Sequence, residues 1–327
     1  MNRKHLLPGI FASIGILVLI LDGKTALVGA QTGIDLCIKT VIPSLFPFIL
    51  LSILLTSSLS GFSLPFLKPL GRICGIPNGT EAVLLTGFLG GYPTGAQAVS
   101  SAYLSGQIRK DDADRMLSFC NNAGPAFLFG MISPMFPDRK TAFLIWMIHI
   151  ASAVLTAALL PLSTTHFSKA TASKPVTMAH AMRTAINVLA TVCGWVILFR
   201  VFIAFLERWF LWLLPIAIQV AITGILELSN GCCELSRIAD PELRFLICSG
   251  MLALGGLCVT LQTSSVTQGL SMTAYFKGKA LQTVFSLLLS ASVILRIWVP
   301  VSALLLFLAM LVQKTQKRSG NPYAAVV

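Results

Sequence analysis

Two clusters of helix-breaking residues interrupt the apolar sequence between Thr86 and Gly130: Gly90-Gly91-Tyr92-Pro93-Thr94-Gly95 and Asn121-Asn122-Ala123-Gly124-Pro125. Glycine and proline at this density cannot continue a helix, so each cluster frees several backbone N–H and C=O groups. In hydrocarbon every unpaired group of this kind is costly, so the breaks must be enclosed in protein or face a wet cavity. Paired interruptions in hydrophobic helices mark a transporter site near the bilayer midplane.

Composition says that hydrocarbon is the relevant solvent. The 327 residues are 55% hydrophobic and 11% charged, with a mean hydropathy of +0.83, whereas a soluble domain carries about 25% charged residues. The expected class is an all-α polytopic membrane protein. The net charge of +12 sits in short loops between apolar runs, with no basic face interleaved with aromatics. Membrane lipid, not nucleic acid, is therefore the expected partner of that charge. None of the eight cysteines forms a CxxC pair, and no HExxH, GxSxG or phosphate-binding loop is present. No metal, no cofactor and no enzymatic activity are expected.

In chain order, Leu6–Leu21 reads as an uncleaved first span, and Gly23–Lys39 as a mildly amphipathic segment lying in the interface. Val41–Ser60 is the second span. Helices from Glu81 to Gly90 and from Gly95 to Gly106 are each too short for about 30 Å of hydrocarbon, so the pair reads as a re-entrant hairpin. A discontinuous span broken at Asn121–Pro125 follows, then a span at Ala142–Leu160. After a Ser/Thr/Lys linker the parts recur: a span at Ala185–Leu206, a hairpin interrupted at Ser229-Asn230-Gly231, and a discontinuous span with breaks around Gly255-Gly256 and Thr263–Ser265. Spans at Gln282–Leu295 and Val299–Val312 complete the set. The expected divisions are 1–38, a first half at 39–162, a linker at 163–183, a second half at 184–298, and a last span with its tail at 299–327.

An odd number of crossings separates corresponding parts of the halves, so the repeat is inverted. Eight spans and two hairpins result. With both termini inside, basic residues on inside segments, Lys277 and Lys279 among them, outnumber those outside, as the positive-inside rule requires.

The motifs GGYPTGA and NNAGPAF, followed later by ELSNG and GGLCVTLQ, resemble those of the YlbJ-type sporulation integral membrane proteins, in the nucleoside-recognition (Gate) domain group. The resemblance runs from about Thr40 to Gly278. It implies a transporter in endospore formation that moves dipicolinate, a small aromatic dicarboxylate, across the outer forespore membrane. A nucleoside or other small-metabolite permease, and a non-transporting scaffold of the developing spore, are the alternatives.

The Asn121–Pro125 break offers two carboxamides and the N–H groups of the half-helix that follows, an electropositive end suited to a carboxylate. Equally, Gly124 and Pro125 make a structural kink. At the hairpin tip formed by Gly90, Gly91, Pro93 and Gly95, Tyr92 can stack on an aromatic ring and Thr94 can donate a hydrogen bond. Asn230 beside Gly231, with Gln262, Ser264 and Ser265 beyond Gly255 and Gly256, forms the second-half counterpart; such groups also simply bond neighbouring helices. Glu81 and Glu227 occupy similar places in the hairpins and are candidates for a coupling proton or sodium, although capping explains Glu81 as well. Arg200 either neutralises an anionic substrate or pairs with an intramembrane glutamate. His149 reads as a packing residue or a proton relay.

Overall fold

The computed structural model describes residues 3–59, 64–161, 176–305, 308 and 310, with backbone alone for residues 3–8 and 11. The linker expected at Ser163–Lys174 and the basic tail with Lys314, Lys317 and Arg318 lie outside the described residues. Among the described residues there is no β-strand; residues 298–305 are helical, and fifteen bounded α-helices precede them. They are α1 Arg3–Leu21, α2 Gly23–Leu36, α3 Ile42–Leu59, α4 Lys68–Cys74, α5 Glu81–Leu89, α6 Thr94–Leu104, α7 Lys110–Leu117 and α8 Pro125–Phe127. Then come α9 Arg139–Leu159, α10 Met178–Trp209, α11 Ile216–Leu226, α12 Leu228–Cys233, α13 Pro241–Leu254, α14 Gly256–Val266 and α15 Met272–Ile294.

Among the described residues, four stretches are long and apolar enough to cross a membrane: Gly23–Leu59, Arg139–Leu159, Met178–Trp209 and Pro241–Val266. Large apolar side chains such as Ile20, Leu51, Phe202 and Leu288 stand exposed on the helices, as lipid-facing residues do. Asp138 begins α9 outside the membrane, accepting from Thr141 N at 2.7 Å. That bond holds its carboxyl below the ordinary carboxylate range.

Three expected boundaries shift. The supposed interfacial segment Gly23–Lys39 is the front of a continuous 37-residue helix that runs through a π-turn at Cys37–Val41 into α3. At 1.5 Å per residue this rod is about 55 Å long, well beyond the hydrocarbon thickness. It packs along α10 through two glycines one turn apart. A Cβ on Gly29 would lie 2.9 Å from Val201 Cα, and one on Gly33 would lie 2.9 Å from Ile197 Cα, so the backbones meet closely, as at small-residue helix seams.

The second shift concerns α15, which begins ten residues before the span expected at Gln282 and absorbs Lys277 and Lys279 into the helix. It packs against α7, α9 and α13, a central position that explains why Lys279, Gln282, Ser286 and Ser290 are buried. Third, the second hairpin turns at Glu227, and Ser229, Asn230 and Gly231 lie inside α12. Similarly, α13 and α14 part at Gly255-Gly256, both with positive φ, while Thr263, Ser264 and Ser265 stay within α14. Of the expected span at Val299–Val312 only part is described, with residues 298–305 helical.

Candidate functional site

After α7 ends at Leu117 the chain runs without regular helix through Ser118–Gly124 before α8 starts at Pro125. Proline suits this first helical position because its missing N–H would have been unpaired there. The groups freed by the break are met from a distance. Ala123 N donates to His149 Nε2 at 3.0 Å, so the imidazole serves the break as an acceptor. Asn122 Nδ2 donates to Phe119 O and Gly87 O, and Asn121 Nδ2 donates to Thr263 Oγ1 at 2.8 Å. Asn121 Oδ1 accepts from Ala96 N. Both asparagines are buried and spent on protein partners.

The first hairpin brings its tip onto this break. Between α5 and α6, Gly91 takes φ +80° and the Tyr92–Pro93 peptide is cis. Gly87 on α5 and Gly95 on α6 face one another with Cys120 above them. A Cβ on Gly95 would sit 2.9 Å from Gly87 Cα and collide with Cys120 O. Tyr92 is buried and donates its hydroxyl to Leu252 O at the end of α13, 2.8 Å away. It therefore joins the first hairpin to the second discontinuous helix, where it has no open face for stacking on a ligand.

A residue that sequence reading placed in an inside loop, Lys279, sits at the centre. It is 2% exposed, and its Nζ contacts Asn121 O at 2.5 Å, Gln282 Oε1 at 2.9 Å and Tyr92 Oη at 3.2 Å. The Tyr92 ring lies 4.9 Å from the nitrogen. Gln282 passes the chain onward, its Nε2 donating to Asn122 Oδ1 at 2.7 Å. The missed signal is a polar stripe at helical spacing on α15: Tyr275, Lys279, Gln282, Ser286 and Ser290, all essentially buried.

Second-half candidates behave differently. Glu227 follows α11 and caps α12, accepting from Ser229 N at 3.0 Å and from Asn230 N and Nδ2 at 2.7 and 2.6 Å. It thus occupies the turn of its hairpin, whereas Glu81 begins the first helix of the other; the two are not equivalent. Gln262 is buried and donates to Cys258 Sγ, while Ser264 and Ser265 are exposed on the far side of α14. Arg200 pairs with Glu207 at 2.8 Å on its own helix. Glu81 is buried, and its Oε2 has no partner among the described residues.

Open volume lies on the other flank of the first hairpin. A cavity of about 350 Å³ is bounded by α3, α5, α6 and α10, with Ser52, Thr86, Thr94, Gln97, Ser101 and His180 among its walls. Thr56 and Thr86 share a hydrogen bond there. Thr94 Oγ1 and Gln97 Oε1 are buried with no partner among the described residues, and no lysine or arginine among the described residues lines the space. Of the predicted binding residues, only Thr94 faces it.

No family model matches the chain, and no solved structure matches it. Over 113 residues it is 33% identical to the sporulation integral membrane protein YlbJ of Bacillus subtilis (strain 168). The match covers 32% of this chain and 26% of the relative, so the chain spans about a quarter of the length of the curated relative it matches. Apolar helices, a buried polar centre and this likeness together describe an integral membrane protein similar, over about a third of its length, to a YlbJ-type sporulation membrane protein.

Proposed function

We propose that the protein is a membrane transporter of a small oxygen-rich metabolite, by resemblance the anion dipicolinate, acting in the outer forespore membrane. The topology proposed with it has eight spans, two re-entrant hairpins and an inverted repeat. The carrying observation is the 350 Å³ cavity beside the first hairpin, where Thr94 and Gln97 present buried polar atoms without partners. A buried polar atom left unpaired costs about 1–3 kcal/mol, so a bound molecule that satisfies both is favoured. Thr94 Oγ1 can donate to a carboxylate oxygen, whereas Gln97 Oε1 accepts, so the pair suits a ligand that carries both an acceptor and a donor. Thr94 opens α6 directly after the tip, so a ligand in the cavity rests on the hairpin, and hairpin motion changes the side from which it is reached. If transport is coupled to a proton or sodium, Glu81 is the candidate carboxylate, since Glu227 and Arg200 are engaged within the protein.

A second reading is a permease for nucleosides or another neutral polar metabolite, favoured by the absence of lysine and arginine among the described residues of the cavity wall. Uptake of dipicolinate and of nucleosides into liposomes holding the purified protein, with and without proton and sodium gradients, separates the two. Saturable dipicolinate uptake that falls at least tenfold in a Thr94→Val/Gln97→Leu variant, with melting temperature preserved, is the expected result. Nucleoside uptake alone selects the second reading. No uptake by correctly inserted protein returns the chain to a scaffold role.

A further inference from the structure

Hydrogen-bond accounting fixes the charge on Lys279. Asn122 Nδ2 is committed to two carbonyls, so Asn122 Oδ1 faces Gln282 and accepts from its Nε2. Gln282 therefore turns Oε1 toward Lys279. The Tyr92 hydroxyl proton is committed to Leu252 O, which leaves only its lone pairs for the lysine. Asn121 O can only accept. All three contacts of Nζ therefore need a hydrogen from the lysine, and three N–H donors make an ammonium.

This cation has no carboxylate partner: no ion pair among the described residues includes it. What surrounds it is a main-chain carbonyl freed by a helix break, a side-chain carbonyl and a phenol oxygen whose own bond runs to the end of α13. Carbonyls exposed where helices unwind, at the negative ends of half-helices, are the groups that coordinate monovalent cations inside membrane proteins. Here they converge on one point where the hairpin tip, both discontinuous helices and α15 meet.

We infer that these three oxygens form a monovalent-cation site, of the sodium class, that the chain fills permanently with its own Lys279 ammonium. The tethered cation ties Tyr92, Asn121 and Gln282 together as an exchangeable ion would, and cannot dissociate. The inference does not rest on which molecule is transported. The site belongs to the assembled core, so its occupancy registers as stability.

The test melts the full-length purified protein in sodium chloride, potassium chloride and choline chloride at equal ionic strength. Wild type should melt at one temperature in all three. Lys279→Ala, which vacates the oxygens, should melt lower in choline and recover saturably with sodium by at least about 3 °C, as linkage to a bound ion requires. Lys279→Met, which fills the stem volume but carries no charge, should melt lower than wild type and stay insensitive to sodium. A Lys279→Ala variant that gains nothing from sodium or potassium over choline overturns the proposal. So does a wild type stabilised equally by sodium, or a Lys279→Met variant as stable as wild type. If Lys279→Ala gives folded protein only when sodium is present from extraction onward, the proposal stands; if it gives none in either salt, the proposal fails.

Discussion

In the first half, the groups freed between Ser118 and Gly124 are met by His149 on α9, Thr263 on α14 and Lys279 and Gln282 on α15. In the second half, Glu227 closes its own hairpin within three residues, and the α13–α14 break is confined to two positive-φ glycines. The first break is thus held by many long-range contacts, whereas the second is closed mostly by local ones, with Tyr92 Oη to Leu252 O as its long-range bond. The cavity lies across the first hairpin from the long-range break. A region that must rearrange around a ligand is better built from contacts between elements, since these can be exchanged without unfolding any one helix.

Five substitutions break or sharpen this contrast, the most damaging first. Gly95→Ala should cost about 3 kcal/mol, because its methyl drives into Cys120 O and Gly87; thermal melting reads the loss. Gln282→Leu should cost about 2–3 kcal/mol, since it strands Asn122 Oδ1 and removes an acceptor from an ammonium. Hydrogen exchange should then quicken across α7, α8 and α15 together, which a merely local defect would not produce. Glu227→Ala removes a helix cap and should cost about 1–2 kcal/mol, with faster exchange confined to α11 and α12. Should Glu227→Ala loosen α7 as well, the contrast between the two breaks is wrong. Ser264→Ala and Ser265→Ala lie on an exposed face and should stay within about 0.5 kcal/mol of wild type, with uptake unchanged.

How much of this was legible in the sequence depends on which interaction decided each feature. The positions of the first hairpin and of the Asn121–Pro125 break follow from local chemistry, because glycine and proline disfavour helix whatever surrounds them. The second turn was misplaced onto Ser229–Gly231: three helix-weak residues outvoted a glutamate whose capping role shows only in its bonds to the next turn. Lys279 was illegible for the opposite reason. In the run Lys277-Gly278-Lys279 it reads as inside-segment charge. In the fold Gly278 is the point where α15 meets Ser118, and that close approach carries Lys279 into the core. The same packing accounts for the inward face of α15, on which no single residue looks like a site. Thr94 was found because it adjoins a visible break; Gln97, one turn on, carries no such flag.

The glycine seam between α2 and α10 has a consequence in time. Gly33 and its partner Ile197 are far apart along the chain, so at synthesis rates of about 5–20 residues per second α2 waits on the order of 10 to 30 s in the bilayer before α10 is made. Throughout that interval its bare glycine face is available to lipid, to chaperones or to the α2 of another nascent copy. The longest helical stretch among the described residues, Gly23–Leu59, thereby begins with the segment whose correct partner arrives late, and crowded ribosomes on one message would expose that weakness first.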